Sequence, residues 1–439
     1  MGKTRAILAA TAIAALTLTT AACSSGGGGG GSSSGSDKDT TLTYWASNQG
    51  TSIQNDKDVL TPVLDKFTQK TGIKVKLEVI GWNDLQTRIQ TAVSSGQGPD
   101  VVNIGNTWGA WLQSTGAFAE FNDANMKAIG GADKFVKTAL DAGGAPGKTP
   151  TSVPLYGLAY GLYYNKAMFA DAGLQPPTTW EEFVAAAKQL TTGGKYGLAL
   201  AAASYTENIH FAFLTAAQNG ASFYDKDGKP TFTSQPIVDG LSRYLALMQT
   251  DKVVNPGNAQ YDNGTQAIAD FASGKAAMVL SQNNADASIK ADGMSPDDYG
   301  VVALPSPKNA KAEVATFPAG INLSIFKYTK HLSQALKFVK YMTSEDTQST
   351  LDKPYAALPV LAGAKASFTD NADEAKVFLD AYNNKSKPLP QVATEGSFES
   401  TIGKGLSQEF ATIATGGTVS DADIKAMLKT AQEQVEAQG

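Results

Sequence analysis

VPLYGLAYGLYYNKAMFADAG, residues 153–173, is the stretch on which the fold turns. Pro154 interrupts whatever precedes it. Leu158, Tyr160, Leu162 and Tyr164 then alternate with Ala159, Gly161 and Tyr163 at the two-residue period of a strand. From Lys166 to Phe169 the pattern turns into a short helix stopped at Gly173. On these residues alone the stretch is either a hinge strand leaving one compact unit for another or a plain core strand. Gly157, Ala159 and Gly161 leave room for backbone rotation or close approach.

Outward from this stretch, both flanks carry enough apolar sequence for a core each. The chain has 439 residues and is 42% hydrophobic, so two lobes are expected. On the N-terminal side, strand and helix alternate. Leu42 to Trp45 reads as a strand, and Val59, Leu60, Val63, Leu64 and Phe67 share a helix face stopped by Gly72. Ile73 to Ile80 alternates with Lys74, Lys76 and Glu78 and so has a solvated face or lies near an edge. Leu85 to Val93 is a second helix, and Pro99 to Ile104 a central strand. This is the pattern of an α/β lobe with a mostly parallel sheet, whose ligands bind beyond the carboxyl ends of the strands. On the C-terminal side, Thr178 with Glu181 and Thr179 with Glu182 form overlapping capping boxes. Helices follow near 208–220, 235–248 and 331–342, and strands near 196–203, 299–304 and 319–326.

The N-terminus is a secretory signal: MGKTR, then an apolar run of small and aliphatic residues to Ala22. Ala21 and Ala22 before Cys23 resemble a bacterial lipoprotein box, with Thr20 where a Leu is usual. Cys23 is the single cysteine, so no intramolecular disulfide forms, and its expected use is lipidation. Ser24 to Asp39 has the composition of a flexible Gly/Ser tether. With 36 basic and 41 acidic residues and a formal charge of −5, the scattered cations argue against nucleic acid. Ala142 to Thr149 falls short of a P-loop because Ala142 replaces the first Gly. Two histidines, His210 and His331, are too few for a multi-His zinc site.

Five stretches carry a resemblance. They are Gly98 to Val102, Leu162 to Lys166, Pro177 to Phe183, Ser273 to Met278, and Pro305-Ser306-Pro307 leading to Gly320. In this order they resemble the extracytoplasmic carbohydrate-binding lipoproteins of bacterial ABC importers, the maltose-binding-like family 1 solute-binding proteins. More narrowly, they are similar to the actinobacterial type that captures xylo-oligosaccharides such as xylobiose. The resemblance implies an α/β fold of two lobes joined by a multi-segment hinge, of the periplasmic-binding-protein type II. It places the first crossing at the opening stretch, the second at Tyr299 to Pro305 and the third near Thr343 to Gln348, and so favours the hinge. The chain divides as 1–22 signal peptide, 23–40 anchor and tether, 41–155 with 306–345 as the N-lobe, and 156–305 with 346–439 as the C-lobe.

A sugar needs donors and acceptors around its rim and an aromatic ring against its C–H face. Asn48, Gln49, Asn106, Glu207, Asn208, Asn283 and Asn284 are the polar candidates, since they follow the ends of strands. Trp108 is the expected stacking platform, one whose loss should spare folding. Tyr160, Phe317 and Gly320 are placed by the crossings, and Trp45 and Trp82 divide evenly between core and site. No catalysis, cofactor or metal is expected. The partners implied are an oligosaccharide, the permease subunits of an ABC importer and, through the lipid anchor, the outer face of the cell membrane, with a monomeric protein. The competing readings are a secreted glycoside hydrolase or lyase using Glu207, Asp262 or Glu395, and a lipoprotein scaffold or adhesin.

Overall fold

The computed structural model describes residues 37–365, 368–369 and 371–438. Cys23, the signal and most of the tether lie outside these. Strand and helix alternate first through β1 (Thr41–Ser47), α1 (Ile53–Thr71), β2 (Lys74–Ile80), α2 (Trp82–Ser95) and β3 (Val101–Gly105), and then come α3 (Gly109–Ser114), α4 (Asp123–Ile129) and α5 (Lys137–Asp141). The ends of α1 follow from chemistry: Ser52 accepts from the Asn55 N–H, and Gly72 takes a φ of 79°, which a side chain would resist. The opening stretch becomes β4 (Ser152–Leu158), β5 (Tyr160–Asn165) and α6 (Lys166–Asp171). Next are α7 (Trp180–Leu190), α8 (Tyr205–Gln218), α9 (Gln235–Gln249), α10 (Gly264–Ala272), β6 (Met278–Gln282), α11 (Ala285–Ala291), β7 (Tyr299–Val302) and β8 (Ala319–Ile325). The chain closes with α12 (Leu332–Met342), α13 (Glu345–Asp352), α14 (Ala372–Asn384), α15 (Glu395–Ala414) and α16 (Asp421–Glu436).

Two sheets result, ordered β2-β1-β3-β8-β4 and β6-β5-β7. In the first, β2, β1 and β3 are parallel, while β8 runs antiparallel to β3 and β4. The sheet is therefore less parallel than expected, because β8 enters it on the way back from the other lobe. Helices cover both faces. Leu42, Tyr44 and Ala46 of β1 pack with α1 and α12, and Val102 and Ile104 of β3 pack with Leu85 and Ile89 of α2. One edge strand is β2, whose Lys74, Lys76 and Glu78 stay in contact with solvent. In the second lobe, α8, α9, α15 and α16 form the main core with Trp180 and Phe183.

Β4 ends at Leu158 in one sheet and β5 starts at Tyr160 in the other, with only Ala159 between. The opening stretch is thus a crossing. Of the two uses open to its small residues, close approach is the one observed. The Gly157 N–H donates to the Leu358 carbonyl at 3.0 Å, and the Leu358 N–H donates back at 2.8 Å. A Cβ at Gly161 would come 2.8 Å from the Phe378 ring. Small side chains here admit the third connecting segment, while Leu158 and Tyr160, of opposite parity, turn to the cleft.

The other two crossings lie later than expected. Val314, Ala315 and Phe317 still belong to the second core and Ile321 to the first, so the second passage is at Phe317 to Gly320 and not at Tyr299 to Pro305. Met342 and Leu351, on either side of residues 343–348, both pack in the first core, which continues to Leu361. Three smaller readings also change. Residues 196–203 make single bridges (Tyr196 to Ala276, Leu198 to Val254, Ala199 to Val279) in place of a strand. Only the Thr179–Glu182 capping box forms, because Thr178 donates to Glu182 and not to Glu181. The tether's last residues, Asp37 to Asp39, form a helical turn tied to α12 by an Asp37–Lys337 ion pair of 2.5 Å.

Candidate functional site

A cavity of about 460 Å³ opens where the loops after β1, β2 and β3 face the N-terminal ends of α8, α10 and α11. Asn48, Gln49, Asn106, Trp108 and Gly320 line it from the first lobe. Tyr160 and Phe317 line it from the crossings, and Glu207 and Asn284 from the second lobe. Two expected residues are elsewhere. Asn208 is fully buried, with its amide given to the Ala202 carbonyl and Ser407 and its oxygen accepting from Tyr244. Asn283 is fully buried as well, accepting from the Ala159 N–H and donating to the Ala356 carbonyl. A place after the end of a strand, the ground for expecting both, does not fix which way a side chain turns. Asn283 holds the first crossing against the third.

The loop after β1 is organised by Asp56 from the first turn of α1. This carboxylate is fully buried and accepts from Asn48 Nδ2 at 2.6 Å, the Gly50 N–H at 2.9 Å and the Gln49 N–H at 3.1 Å. Burial outweighs these donors and pushes its carboxyl above the ordinary range. The loop so held presents Gln49, 6% exposed, whose Nε2 has no partner within the protein. A buried donor left open at a cavity wall is one that a ligand can satisfy. Asn106 is already engaged, donating to the Pro318 carbonyl at 2.7 Å. Gly320 is required by backbone approach, because a Cβ there would lie 2.3 Å from the Tyr156 carbonyl oxygen.

Trp108 is not an open platform. It is 3% exposed and wedged edge to face between Trp82 and Trp111, at 5.7 and 6.4 Å. Its indole N–H donates to Glu399 of α15 at 3.0 Å, a bond that joins the two lobes. Trp82 lines the same wall and is half-buried, more open than Trp108. Trp45 is occupied by the Arg88 guanidinium, 4.5 Å from its ring.

Glu399 and His210 were not foreseen as site residues. His210 Nδ1 lies 2.8 Å from Tyr160 Oη, and its Nε2 lies 3.6 Å from Glu399. With the proton on Nε2, facing the carboxylate, Nδ1 accepts from the tyrosine. Burial acts to raise the Glu399 carboxyl, yet His210, Glu395 and Trp108 together hold it below the ordinary range. Glu395, one helical turn away and fully buried, is pushed well above it by burial and by the Glu399 charge. Hence one of this buried pair is an acid and the other a carboxylate. The i, i+3 spacing of Glu207 and His210 and the i, i+4 spacing of Glu395 and Glu399 were legible signals. Their convergence was not.

Burial also raises Glu207 to about 8, and Asp352 and Glu374 each to about 7. Between the ordinary carboxyl range and these values the folded chain holds more protons than the unfolded one, so stability falls as pH rises. The melting temperature is expected to be higher at pH 5 than at pH 8.5. A melting temperature that rises across this window would contradict the assignment.

The two-lobed α/β architecture and its cavity between strand-end loops define a binding protein of the type II periplasmic class. The chain belongs to the family described as bacterial extracellular solute-binding proteins, whose model matches residues 50–349. It is 26% identical over 376 residues to the diacetylchitobiose binding protein DasA of Streptomyces coelicolor, covering 84% of this chain and 85% of that one. To the multiple sugar-binding protein of Streptococcus mutans it is 28% identical over 331 residues, covering 70% and 76%. The GacH receptor of Streptomyces glaucescens, solved unliganded and with acarbose, shares the fold with a TM-score of 0.75 at 22% identity, covering 90% of this chain and 98% of that one. Among the described residues no helix is long and apolar enough to cross a membrane.

Proposed function

We propose that this protein captures a short oligosaccharide such as xylobiose between its lobes and delivers it to the permease of an ABC importer, held at the outer face of the membrane through acylated Cys23. The observation that carries the reading is the make-up of the cavity. The open amide of Gln49, the carboxyl of Glu207 and the half-buried ring of Trp82 meet in one space of about 460 Å³. That volume falls in the range of roughly 300–1,000 Å³ usual for small-molecule sites. The relatives named above bear sugar ligands in their names, and none is named as an enzyme. Of the three carboxylates the hydrolase reading names, Glu207 and Asp262 line the cavity and Glu395 is buried outside its lining.

On this reading the lobes comprise 41–158 with 319–361, and 159–318 with 368–438. A sugar touching both favours the closed arrangement, since only that arrangement offers both sets of contacts. Calorimetry against xylobiose, cellobiose, maltose and diacetylchitobiose tests the reading, with binding of at least one expected. Trp82→Ala is expected to weaken that binding by tenfold to a hundredfold, corresponding to about 1.4–2.7 kcal/mol. An unchanged affinity would remove Trp82 from the site, and release of cleaved sugar would replace capture with hydrolysis.

A further inference from the structure

We infer that the cavity selects its saccharide by charge, taking neutral sugars and refusing those that bear a uronic acid carboxylate. This deepens the capture reading and rests on it. The helices whose N-terminal ends meet the cavity would ordinarily favour an anion, since their first N–H groups carry partial positive charge. In this protein the ends of α1, α2, α8 and α10 are each met by an acid. Asp56 lies in the first turn of α1, Asp84 in that of α2 and Glu207 in that of α8, while Asp262 directly precedes Asn263, the N-cap of α10. Asp84, Glu207 and Asp262 line the cavity themselves, and Glu399 joins them from α15.

No cation answers these acids. Among the described residues, the lining contains neither Lys nor Arg. On two of the helices that reach the cavity a basic side chain is paired with an acid outside the cavity lining: Arg88 of α2 with Glu78 at 2.6 Å, and Lys290 of α11 with Asp286 at 2.7 Å. The imidazole of His210 is engaged by Tyr160 and already faces Glu399. A sugar carboxylate closed into this space would lose its water and find no counter-charge, the costly case for any ion. A hydroxyl in the same place meets both acceptors, the carboxylates, and donors, such as the unpartnered Gln49 Nε2, which is nine-tenths buried. Burial raises the Glu207 carboxyl to about 8, so at neutral pH it offers a sugar hydroxyl a donor and adds no charge, and the charge that meets an anion is that of Glu399, held as the carboxylate, with Asp84 and Asp262 in the same lining.

The test takes the neutral disaccharide that binds best in the calorimetric panel and compares it at pH 7 with its uronic acid counterpart; for xylobiose this is the disaccharide of glucuronic acid and xylose. The acid is expected to bind at least a hundredfold more weakly. Asp262→Lys, at the exposed rim, is expected to narrow that ratio by about tenfold, and Asp262→Asn by less. An acid that binds within tenfold of the neutral sugar, or more tightly, overturns charge selection and leaves saccharide capture standing. Binding by no sugar of either charge overturns capture itself, and charge selection with it.

Discussion

Trp108→Ala is expected to lower the unfolding free energy by about 3–5 kcal/mol, the range for removing a buried aromatic side chain. The ring is 3% exposed and packs with Ile80, Leu85, Phe118 and two further tryptophans. Little of that space can collapse, because β3 on one side and α15 on the other fix its walls. The loss also takes the indole N–H from Glu399, a carboxylate 1% exposed that would then keep one fewer donor. Trp108→Phe separates the two contributions. It retains most of the packing and forfeits the hydrogen bond, for an expected cost of about 1–3 kcal/mol. Urea unfolding of the three proteins measures both. If Trp108→Ala unfolds with an unchanged midpoint and only its ligand affinity falls, the ring is a stacking platform after all and the interlobe bond is incidental.

Asp56→Ala should be nearly as damaging to stability, by about 2–4 kcal/mol, and should also weaken ligand binding. Its partners Asn48 Nδ2, the Gln49 N–H and the Gly50 N–H would all lose their acceptor, and Gln49 is too buried for water to replace it without movement of the loop. Each buried group so stranded costs about 1–3 kcal/mol. Asp56→Asn is the sharper probe. Every side-chain and loop partner just named is a donor, so an amide NH₂ brings a donor against donors and should recover only part of the loss. Hydrogen exchange at the amides of residues 49 and 50 should accelerate in both variants. Protection equal to that of the unaltered protein would show that the loop holds its shape without the carboxylate.

Much of the architecture was legible because it depends on neighbours in the chain. The period of β1 and β2, the cap at Ser52, the stop at Gly72 and the Thr179–Glu182 box are local, and all are observed. The lining of the cavity was legible where the α/β pattern alone places a residue, as at Asn48, Gln49 and Asn106 after the ends of β1 and β3. It failed where the orientation of a side chain matters. Asn283 and Asn284 are adjacent, yet one holds the crossings together and the other lines the cavity.

Residues 153–173 state both possibilities, hinge or core strand, in their own alternation and small residues. Motif order favours a crossing within this stretch, and the switch from one sheet to the other falls at Ala159. Only the tertiary structure shows why those residues are small: Leu358 and Phe378 press against Gly157 and Gly161. The same is true of the pairing of Trp108 with Glu399, 291 positions apart in the chain. A sequence determines directly the structures that short-range sterics and hydrogen bonds decide, namely its turns, caps and amphipathic faces. Contacts between distant segments depend on how two finished lobes meet, and at this site those contacts decide which ring is free, which amide is open and which carboxyl keeps its proton.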